Sequence, residues 1–172
     1  MSVIELERLR LRRFKLSDLQ NMIELESDPD VMKFTPSRVS LSAERSKERL
    51  EDLISKEASN GNLGAWAAEF KDSGDFLGFF MLLNRELEFT ELGFMIVKRH
   101  WGKGLTAEAA CGLVDYAFTK LKLPGISAAT TQDNFASKKV LAKVGFSFDK
   151  KISISDKILQ KETDLDVFVL RR

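Results

Sequence analysis

The chain has 172 residues, of which 44% are hydrophobic and 31% are charged, and this balance is typical of a folded domain with its own core. Its 27 Lys and Arg residues nearly equal its 26 Asp and Glu residues, which argues against a protein that coats nucleic acid. The single cysteine, Cys111, and the single histidine, His100, exclude an internal disulfide and the His-rich or Cys-rich metal sites. We therefore expect neither a metal centre nor a nucleic-acid partner.

Neither the apolar segments nor the first residues predict a membrane or export signal. The longest apolar run, Phe76 to Leu83, is far shorter than the roughly 20 residues that span a bilayer. The first residues, Met1 to Glu5, lack the apolar stretch of a signal peptide. Since no repeat or linker is visible either, we expect a single domain over residues 1–172, located in the cytoplasm and not bound to a membrane.

Residue patterns in the first half of the chain predict a strand, two helices and three further strands. Apolar and basic residues alternate over residues 8–14, as in a half-buried strand. A capping pattern at Ser17 predicts a short helix that stops near Asp28, and a second helix fits Ser42 to Asn60, with Gly61 as its left-handed stop. Three β-like stretches with short connections follow and favour an antiparallel meander: Ala65 to Phe70, Phe76 to Leu83 and Glu91 to Val97.

The second half of the chain predicts two helices among three more strands. Apolar residues at helical spacing predict a helix that begins around Thr106, and Asn134 caps a shorter helix that ends at Gly145. The strands are Ile126 to Thr131, Phe146 to Ile154 and Leu165 to Leu170. The resulting order, β-α-α-β-β-β-α-β-α-β-β, predicts an α/β domain with a mixed sheet.

The segment from Arg99 to Thr106 follows a predicted strand and opens the clearest helix. Its two glycines, Gly102 and Gly104, let the main chain fold closely around a ligand with its N–H groups turned outward. The helix start adds unpaired N–H groups and the positive end of the helix dipole, and neighbouring basic residues add charge. The pattern predicts a pyrophosphate site, and an ordinary glycine-stabilised turn is the alternative.

Two nucleotide-binding loops can be compared with this segment. A Walker A loop requires Ser or Thr after its lysine, and here Gly104 follows Lys103. The spacing Gly102-x-Gly104-x-x-Ala107 does match the dinucleotide pattern, with Asp133 as a candidate for the ribose carboxylate. However, too few βα units remain after this segment to build a Rossmann fold.

The same segment resembles the acyl-CoA loop of the GNAT N-acetyltransferases, written Q/R-x-x-G-x-G/A, with Arg99, Gly102 and Gly104 at its three defined positions. The resemblance is closest to the RimJ/RimL-like branch and extends from about Leu6 to Phe148. It implies a mixed, mostly antiparallel sheet of six to seven strands flanked by about four helices. Further matches follow in order along the chain: Arg8-Leu9-x-Leu11-Arg12, Asp28-Pro29-Asp30-Val31, Trp101-Gly102-Lys103-Gly104, Glu108-Ala109, Tyr116-Ala117-Phe118, Asn134-x-x-Ser137, Val140-Leu141 and Gly145-Phe146.

The resemblance implies acetyl-CoA as cosubstrate, with its pyrophosphate on the turn and its pantetheine along the preceding strand. The main chain of Ile96 and Val97 would pair with the pantetheine amides, while Asn134 is either a pantetheine ligand or only a helix cap. Ser137 would also contact the cosubstrate. The residues implied at the pyrophosphate are Arg99, His100, Gly102, Lys103, Gly104, Leu105 and Thr106.

The resemblance also implies an acid and a base. Ser137 would protonate the departing thiolate, because the tyrosine that many relatives use has no counterpart except Tyr116, in the middle of the preceding helix. The alternative for Ser137 is an ordinary serine of a capping turn. An alkylammonium must lose a proton before its nitrogen can attack, and Glu91, at the start of the strand that leads into the turn, is the expected base. The alternative for Glu91 is an ordinary surface charge.

These expectations combine into an N-acetyltransferase that transfers the acetyl group directly, in a ternary complex. Cys111 lies within a predicted helix and away from the turn, so no thiol is placed to carry the acetyl group. The acceptor is a primary amine, either on a protein N-terminus or on a small molecule, and Phe34-Thr35-Pro36 would line its pocket. A homodimer is compatible with the sequence. Two alternatives are an NAD(P)-dependent oxidoreductase that uses the glycine spacing and a non-catalytic, CoA-binding regulatory domain.

Overall fold

A computed structural model describes residues 3–57, 62–156 and 161–172. Its helices are α1 Leu19–Ser27, α2 Pro29–Met32, α3 Ala43–Glu57, α4 Leu105–Thr119 and α5 Phe135–Val144. Its strands are β1 Ile4–Glu5, β2 Leu9–Arg12, β3 Gly64–Phe70, β4 Phe76–Leu83, β5 Thr90–Ile96, β6 Gly125–Thr131, β7 Ser147–Asp156 and β8 Lys161–Arg171. The mixed α/β class and the predicted succession of elements are confirmed.

Two short elements raise the counts above the predicted six to seven strands and four helices. In the described part of the chain the sheet has eight strands and there are five α-helices. The elements that were not predicted are β1, which has two residues, and α2, which has four. Elements this short leave no periodic pattern in a sequence. A local signal for α2 does exist, since the Asp28 side chain accepts a bond from Asp30 N at 2.8 Å and Pro29 occupies the first helical turn.

The starts and ends of two predicted helices also differ. The first helix starts at Leu19, after a 3-10 turn over Leu16–Asp18, and the carboxylate that closes this turn belongs to Asp18 and not to a cap at Ser17. The predicted end of the second helix, at Asn60 with Gly61 as its stop, lies outside the described residues.

The sheet divides where its only parallel pair among the described strands is formed. The strand order is β1-β2-β3-β4-β5-β6-β8-β7, and every pair except β5–β6 is antiparallel. Strand β5 pairs with β4 from Glu91 to Ile96 but with β6 only at Thr90 and Glu91. Beyond Glu91 the two neighbouring strands separate, and none of the described strands pairs with the edge of β5 that faces β6.

The core has a layer on each face of the sheet. Helices α1 to α3 cover a face that includes Phe79 and Val97, while α4 and α5 cover the face that holds Trp66 and Phe80. Trp66 and Phe80 are fully buried, and burial of each such side chain is worth roughly 1.5–3 kcal/mol. Strand alternation directs odd-numbered residues of β5 to the first layer and even-numbered ones to the second. This alternation places Glu91 on the same face as α1 to α3.

The described residues contain neither a membrane-spanning helix nor a metal-binding cluster. None of the described helices is both long enough and apolar enough to cross a membrane. No group of three His, Cys, Asp or Glu residues in the described segments could hold a metal ion.

Candidate active site

A cavity of about 1270 Å³ lies where β5 and β6 separate. Its walls come from α2 and the segment after it, from α3, from strands β4 to β8, from the start of α4 and from one side of α5. The sequence therefore brings to one cavity residues that lie more than 100 positions apart. The lining residues used below are Phe34, Thr35, Pro36, Arg49, Phe79, Arg85, Glu86, Glu91, Phe94, Ile96, Trp101, Gly102, Gly104, Thr106, Asn134, Ser137, Lys139, Val140 and Lys143.

The predicted glycine turn is open to this cavity. Gly102 and Gly104 both adopt left-handed backbone conformations, with φ of +75° and +74°, and an added Cβ at either position would meet no atom within 4 Å. The first main-chain bond of α4 runs from Glu108 N to Gly104 O, so the N–H groups of Leu105 and Thr106 have no acceptor within the helix. Open space beside unpaired N–H groups at a helix start is suited to an anion.

The basic side chains of this turn are directed to different places. The Arg99 guanidinium is bonded to the Glu24 carboxylate and donates to Phe76 O at 3.3 Å, so it is engaged within the protein. Lys103 is exposed and forms no ion pair within the described segments. Leu105 is 2% exposed and belongs to the core, so only its main chain can reach a ligand. The turn therefore offers an anion mainly its backbone, and Lys103 is the remaining cation.

His100 contributes no charge at neutral pH. Its ring packs against Phe70 with centroids 4.9 Å apart, and its buried ring nitrogens have no hydrogen-bond partner among the described residues. Burial lowers the pKa of His100, and the positive charges of Arg99 and Lys103 lower it further. His100 thus supports the turn as a neutral ring.

The main-chain N–H and C=O groups at the end of β5 point alternately to the two edges of the strand. Val97 N donates to Leu77 O at 3.0 Å, and Val97 O accepts a bond from His100 N, so both main-chain groups of Val97 are used internally. Because successive peptide groups of a strand point to opposite edges, those of Ile96 and Phe94 face the gap beside β6. The Ile96 carbonyl accepts a bond from Trp101 Nε1 at 2.9 Å. Phe94 is thus a second residue whose main chain faces the cavity.

The start of α5 supplies Asn134 and Ser137. Asn134 Oδ1 accepts a bond from Ser137 N at 3.0 Å, so the predicted helix cap is confirmed, and both residues also line the cavity. Since the cap occupies only the amide oxygen, the Asn134 amide nitrogen remains available to a ligand. Ser137 is half-buried, which allows its hydroxyl to face the cavity.

Glu91 is a buried carboxylate in the cavity wall and is not an ordinary surface charge. It is 7% exposed, and Arg85 Nη1 lies 3.4 Å from its Oε2. Burial raises the pKa of Glu91, while the charge of Arg85 and its hydrogen bond partly offset this rise. A carboxyl whose pKa lies closer to neutrality is a stronger base once it is ionised.

The segment predicted to line the acceptor pocket lies on one side of the cavity. Phe34, Thr35 and Pro36 are all in its wall. Just beyond them, Arg38 forms two bonds with the Asp133 carboxylate, at 2.9 and 3.0 Å. Asp133, considered above as a ribose ligand, is therefore occupied by an ion pair between this segment and the start of α5.

Sequence reasoning missed two arginines of the cavity wall. Arg85 lies in the β4–β5 hairpin, and the pairing of Leu83 with Glu91 brings it close to the carboxylate. The short hairpin was therefore a usable signal. Arg49, on α3, packs over the Phe79 ring at 5.4 Å and reaches the buried Glu26 at 3.1 Å, and nothing local in the sequence predicts that contact.

The sheet does not fit the oxidoreductase alternative. A dinucleotide-binding Rossmann fold requires a mostly parallel sheet with helices between successive strands. In the described residues only β5 and β6 are parallel neighbours. The glycine spacing therefore lies in a different kind of fold.

Known proteins are similar to this chain over nearly its whole length. A family model described as an acetyltransferase (GNAT) domain matches residues 8–147. An uncharacterized N-acetyltransferase of Bacillus licheniformis, p20, is 28% identical over 171 residues, which cover 98% of this chain and 94% of that protein. A solved GNAT-family acetyltransferase from Bacillus anthracis has a TM-score of 0.84 at 22% identity and covers 99% of this chain and 98% of its own.

A third similar protein was solved with a ligand. RimL, a ribosomal α-N-protein acetyltransferase in complex with coenzyme A, has a TM-score of 0.82 at 12% identity and covers 99% of this chain and 98% of its own. At this identity the likeness concerns the fold. The family model, in contrast, spans most of the chain, from β2 to the start of β7. The chain belongs to the GNAT acetyltransferase family and is an acetyltransferase enzyme.

Proposed function

We propose that the protein transfers an acetyl group from acetyl-CoA directly to a primary amine, in a ternary complex of enzyme, cosubstrate and acceptor. The observation that carries this proposal is the combination found in one cavity. A strand edge without a partner leads into a helix-opening glycine turn, and a buried carboxylate lies on the same strand. The phosphates of a nucleotide carrier bind well at the N-terminus of a helix. A protonated amine needs a base to remove its proton before the nitrogen can attack.

The parts of acetyl-CoA match the parts of the cavity. Its diphosphate suits the N–H groups at the start of α4, next to Gly102 and Gly104. Its pantetheine arm carries two amides, which suit the amide of Asn134 and the main-chain edge of β5 at Phe94 and Ile96, where the Ile96 carbonyl already accepts one bond from Trp101 Nε1. Coenzyme A in the similar RimL structure supports the same choice of cosubstrate.

The chemistry assigns one proton transfer to each of two residues. The amine nitrogen attacks the thioester carbonyl, and the proton it loses passes to the Glu91 carboxylate, directly or through a water. The C–S bond then breaks, and the Ser137 hydroxyl protonates the leaving thiolate and regains a proton from solvent, while Glu91 releases the amine proton to solvent. The products are an acetamide and free coenzyme A. Cys111 is exposed on α4 and takes no part in this direct transfer.

The lining of the acceptor pocket favours a primary amine, because the wall around the expected amine site is apolar. The wall near Phe34 and Phe79 is aromatic, while Arg85 and Arg49 each have a carboxylate partner. The similar proteins include a ribosomal α-N-protein acetyltransferase and an uncharacterized N-acetyltransferase. We propose a RimJ/RimL-like enzyme whose acceptor is a protein N-terminus or a small-molecule amine.

A panel of amines tests this proposal, with release of free coenzyme A thiol as the readout. The panel contains N-terminal peptides, amino acids, polyamines and aromatic amines, each with acetyl-CoA. We expect thiol release that depends on the amine and a product heavier than the amine by one acetyl group. Slow hydrolysis of acetyl-CoA with no acetylated amine would favour a non-catalytic CoA-binding domain. Binding of NADH without binding of coenzyme A would contradict the proposal altogether.

A further inference from the structure

The charged side chains of the cavity wall are unevenly paired. They are Arg49, Arg85, Glu86, Glu91, Lys139 and Lys143. Arg49 contacts Glu26 and Arg85 contacts Glu91, so both arginines are at least partly neutralised. Within the described parts of the chain, Lys139 and Lys143 take part in no ion pair. The uncompensated positive charge of the cavity therefore lies on α5.

These two lysines share one face of their helix. They are four residues apart, so their side chains lie one above the other, next to Val140 in the same wall. Lys138, by contrast, points away from the cavity, since its Nζ binds Asp166 Oδ2 at 2.6 Å and Gln132 O at 2.7 Å. The adjacent lysine thus has a structural partner, while Lys139 and Lys143 have none among the residues that the structure describes.

We infer that Lys139 and Lys143 form a subsite for a phosphate monoester, separate from the diphosphate site at Gly102 and Gly104. This inference rests on the proposed function, because coenzyme A carries such a group on the 3′ position of its ribose. The rigid turn presents main-chain N–H groups to the diphosphate. Flexible lysines act as point charges and suit a monoester that remains partly in solvent.

The subsite predicts how the protein discriminates between two natural carriers. 3′-Dephospho-CoA has the same diphosphate and thiol arm but lacks the monoester. An exposed ion pair is worth only a few-fold in affinity. Two such pairs predict that coenzyme A binds about tenfold more tightly than 3′-dephospho-CoA. Because both lysines are exposed, the ratio should shrink as ionic strength rises.

Calorimetric titrations with both carriers test the inference on three proteins. These are the wild type, the variant Lys139→Gln/Lys143→Gln and the control Lys120→Gln/Lys151→Gln. The control removes the same two charges from exposed positions that do not line the cavity, one directly after the end of α4 and one on β7. Glutamine is nearly as good a helix former as lysine, so α5 should be retained, and the two control substitutions lie at exposed positions where the cost to stability is small.

We expect the affinity ratio between the carriers to fall from about ten to about one in Lys139→Gln/Lys143→Gln and to stay unchanged in the control. Affinity for 3′-dephospho-CoA itself should change little. A ratio near one in the wild type, or a ratio kept by the double variant, would overturn the subsite and leave the proposed function intact. A wild type that binds neither carrier would instead contradict the proposed function.

Discussion

At the scale of single residues, the most informative side chain is Glu91, because its protonation controls the proposed reaction. It is nearly buried, and its one close cation in the described structure is Arg85. Burial raises the pKa of Glu91 and Arg85 lowers it again. Glu86 and Arg49 also line the cavity and contribute to its field. The pH dependence of the activity should therefore shift when any one of these residues is replaced.

Glu91→Gln should lower kcat/KM by about 100-fold and remove the acidic limb of the pH–rate profile. Arg85→Gln should move that limb to higher pH, because the Glu91 pKa loses the charge that held it down. Both profiles are measured with an acceptor amine that stays unprotonated over the range. Glu88→Gln, in the same hairpin but paired with Arg171, is the control and should behave like the wild type. An unaltered profile in Glu91→Gln would remove Glu91 as the base.

Ser137→Ala tests the proposed acid. The loss of a group that protonates the thiolate should reduce kcat by about 100-fold, while the KM for acetyl-CoA changes by no more than about threefold. Steady-state kinetics with varied acetyl-CoA separate the two parameters. Ser155→Ala, on an exposed position of β7, controls for the loss of a hydroxyl elsewhere. A normal kcat in Ser137→Ala would show that the thiolate leaves without help from this residue.

At the scale of elements, the sequence predicted best where the signal is local. Gly145 adopts φ of +106°, and Phe146 N donates to Leu141 O, so the predicted stop of α5 is confirmed in detail. Contacts between distant segments had no such signal. The Arg99 guanidinium is bonded to the carboxylate of Glu24, which lies 75 residues earlier in the chain. The sequence predicted this side chain at a phosphate and carried no signal for the contact with Glu24. Arg38 and Asp133 are 95 residues apart.

The turn between β2 and α1 has a stability role that the sequence did not suggest. Asp18 accepts two bonds from the Arg12 guanidinium and one from Lys15 N, all at 2.8 Å. Burial alone would raise the pKa of Asp18, but these bonds and the charge of Arg12 hold it below its ordinary value. This carboxylate therefore stabilises the fold at pH values above its unfolded-state pKa.

Asp18→Ala should lower the free energy of unfolding by about 3 kcal/mol at neutral pH, since it leaves Arg12 without one of its two carboxylate partners. Urea unfolding measures the loss. The gap between variant and wild type should narrow as the pH falls through the lowered pKa of Asp18, because protonation then removes the same interaction. Asp115→Asn, on the exposed face of α4, should change stability by less than about 0.5 kcal/mol. An equal stability of Asp18→Ala and wild type would contradict this account.

At the scale of the whole molecule, the proposed function depends on an interruption in an otherwise continuous sheet. Strands β5 and β6 begin as a parallel pair and then separate, and the cavity occupies the space between them. The element order and the glycine turn could be read from the sequence, because both are local. The width of the gap and the burial of Glu91 result from packing on both faces, and they required the structure.

Titration of two glycine variants tests most directly whether the turn at Gly102 and Gly104 holds the diphosphate of acetyl-CoA. Gly104 and Gly74 both have φ of +74° and open space around an added Cβ, but Gly74 lies in the β3–β4 hairpin, outside the cavity wall. Glutamate at either position carries the same backbone cost, about 1–2 kcal/mol. Gly104→Glu alone would set a carboxylate against the diphosphate, a repulsion of about 4 kcal/mol at contact distance.

We therefore expect calorimetry to show that Gly104→Glu weakens acetyl-CoA binding by at least about 100-fold, while Gly74→Glu binds as the wild type does. Circular dichroism confirms that both variants are folded. Wild-type affinity in a folded Gly104→Glu protein would contradict the account, because the carrier would then bind elsewhere.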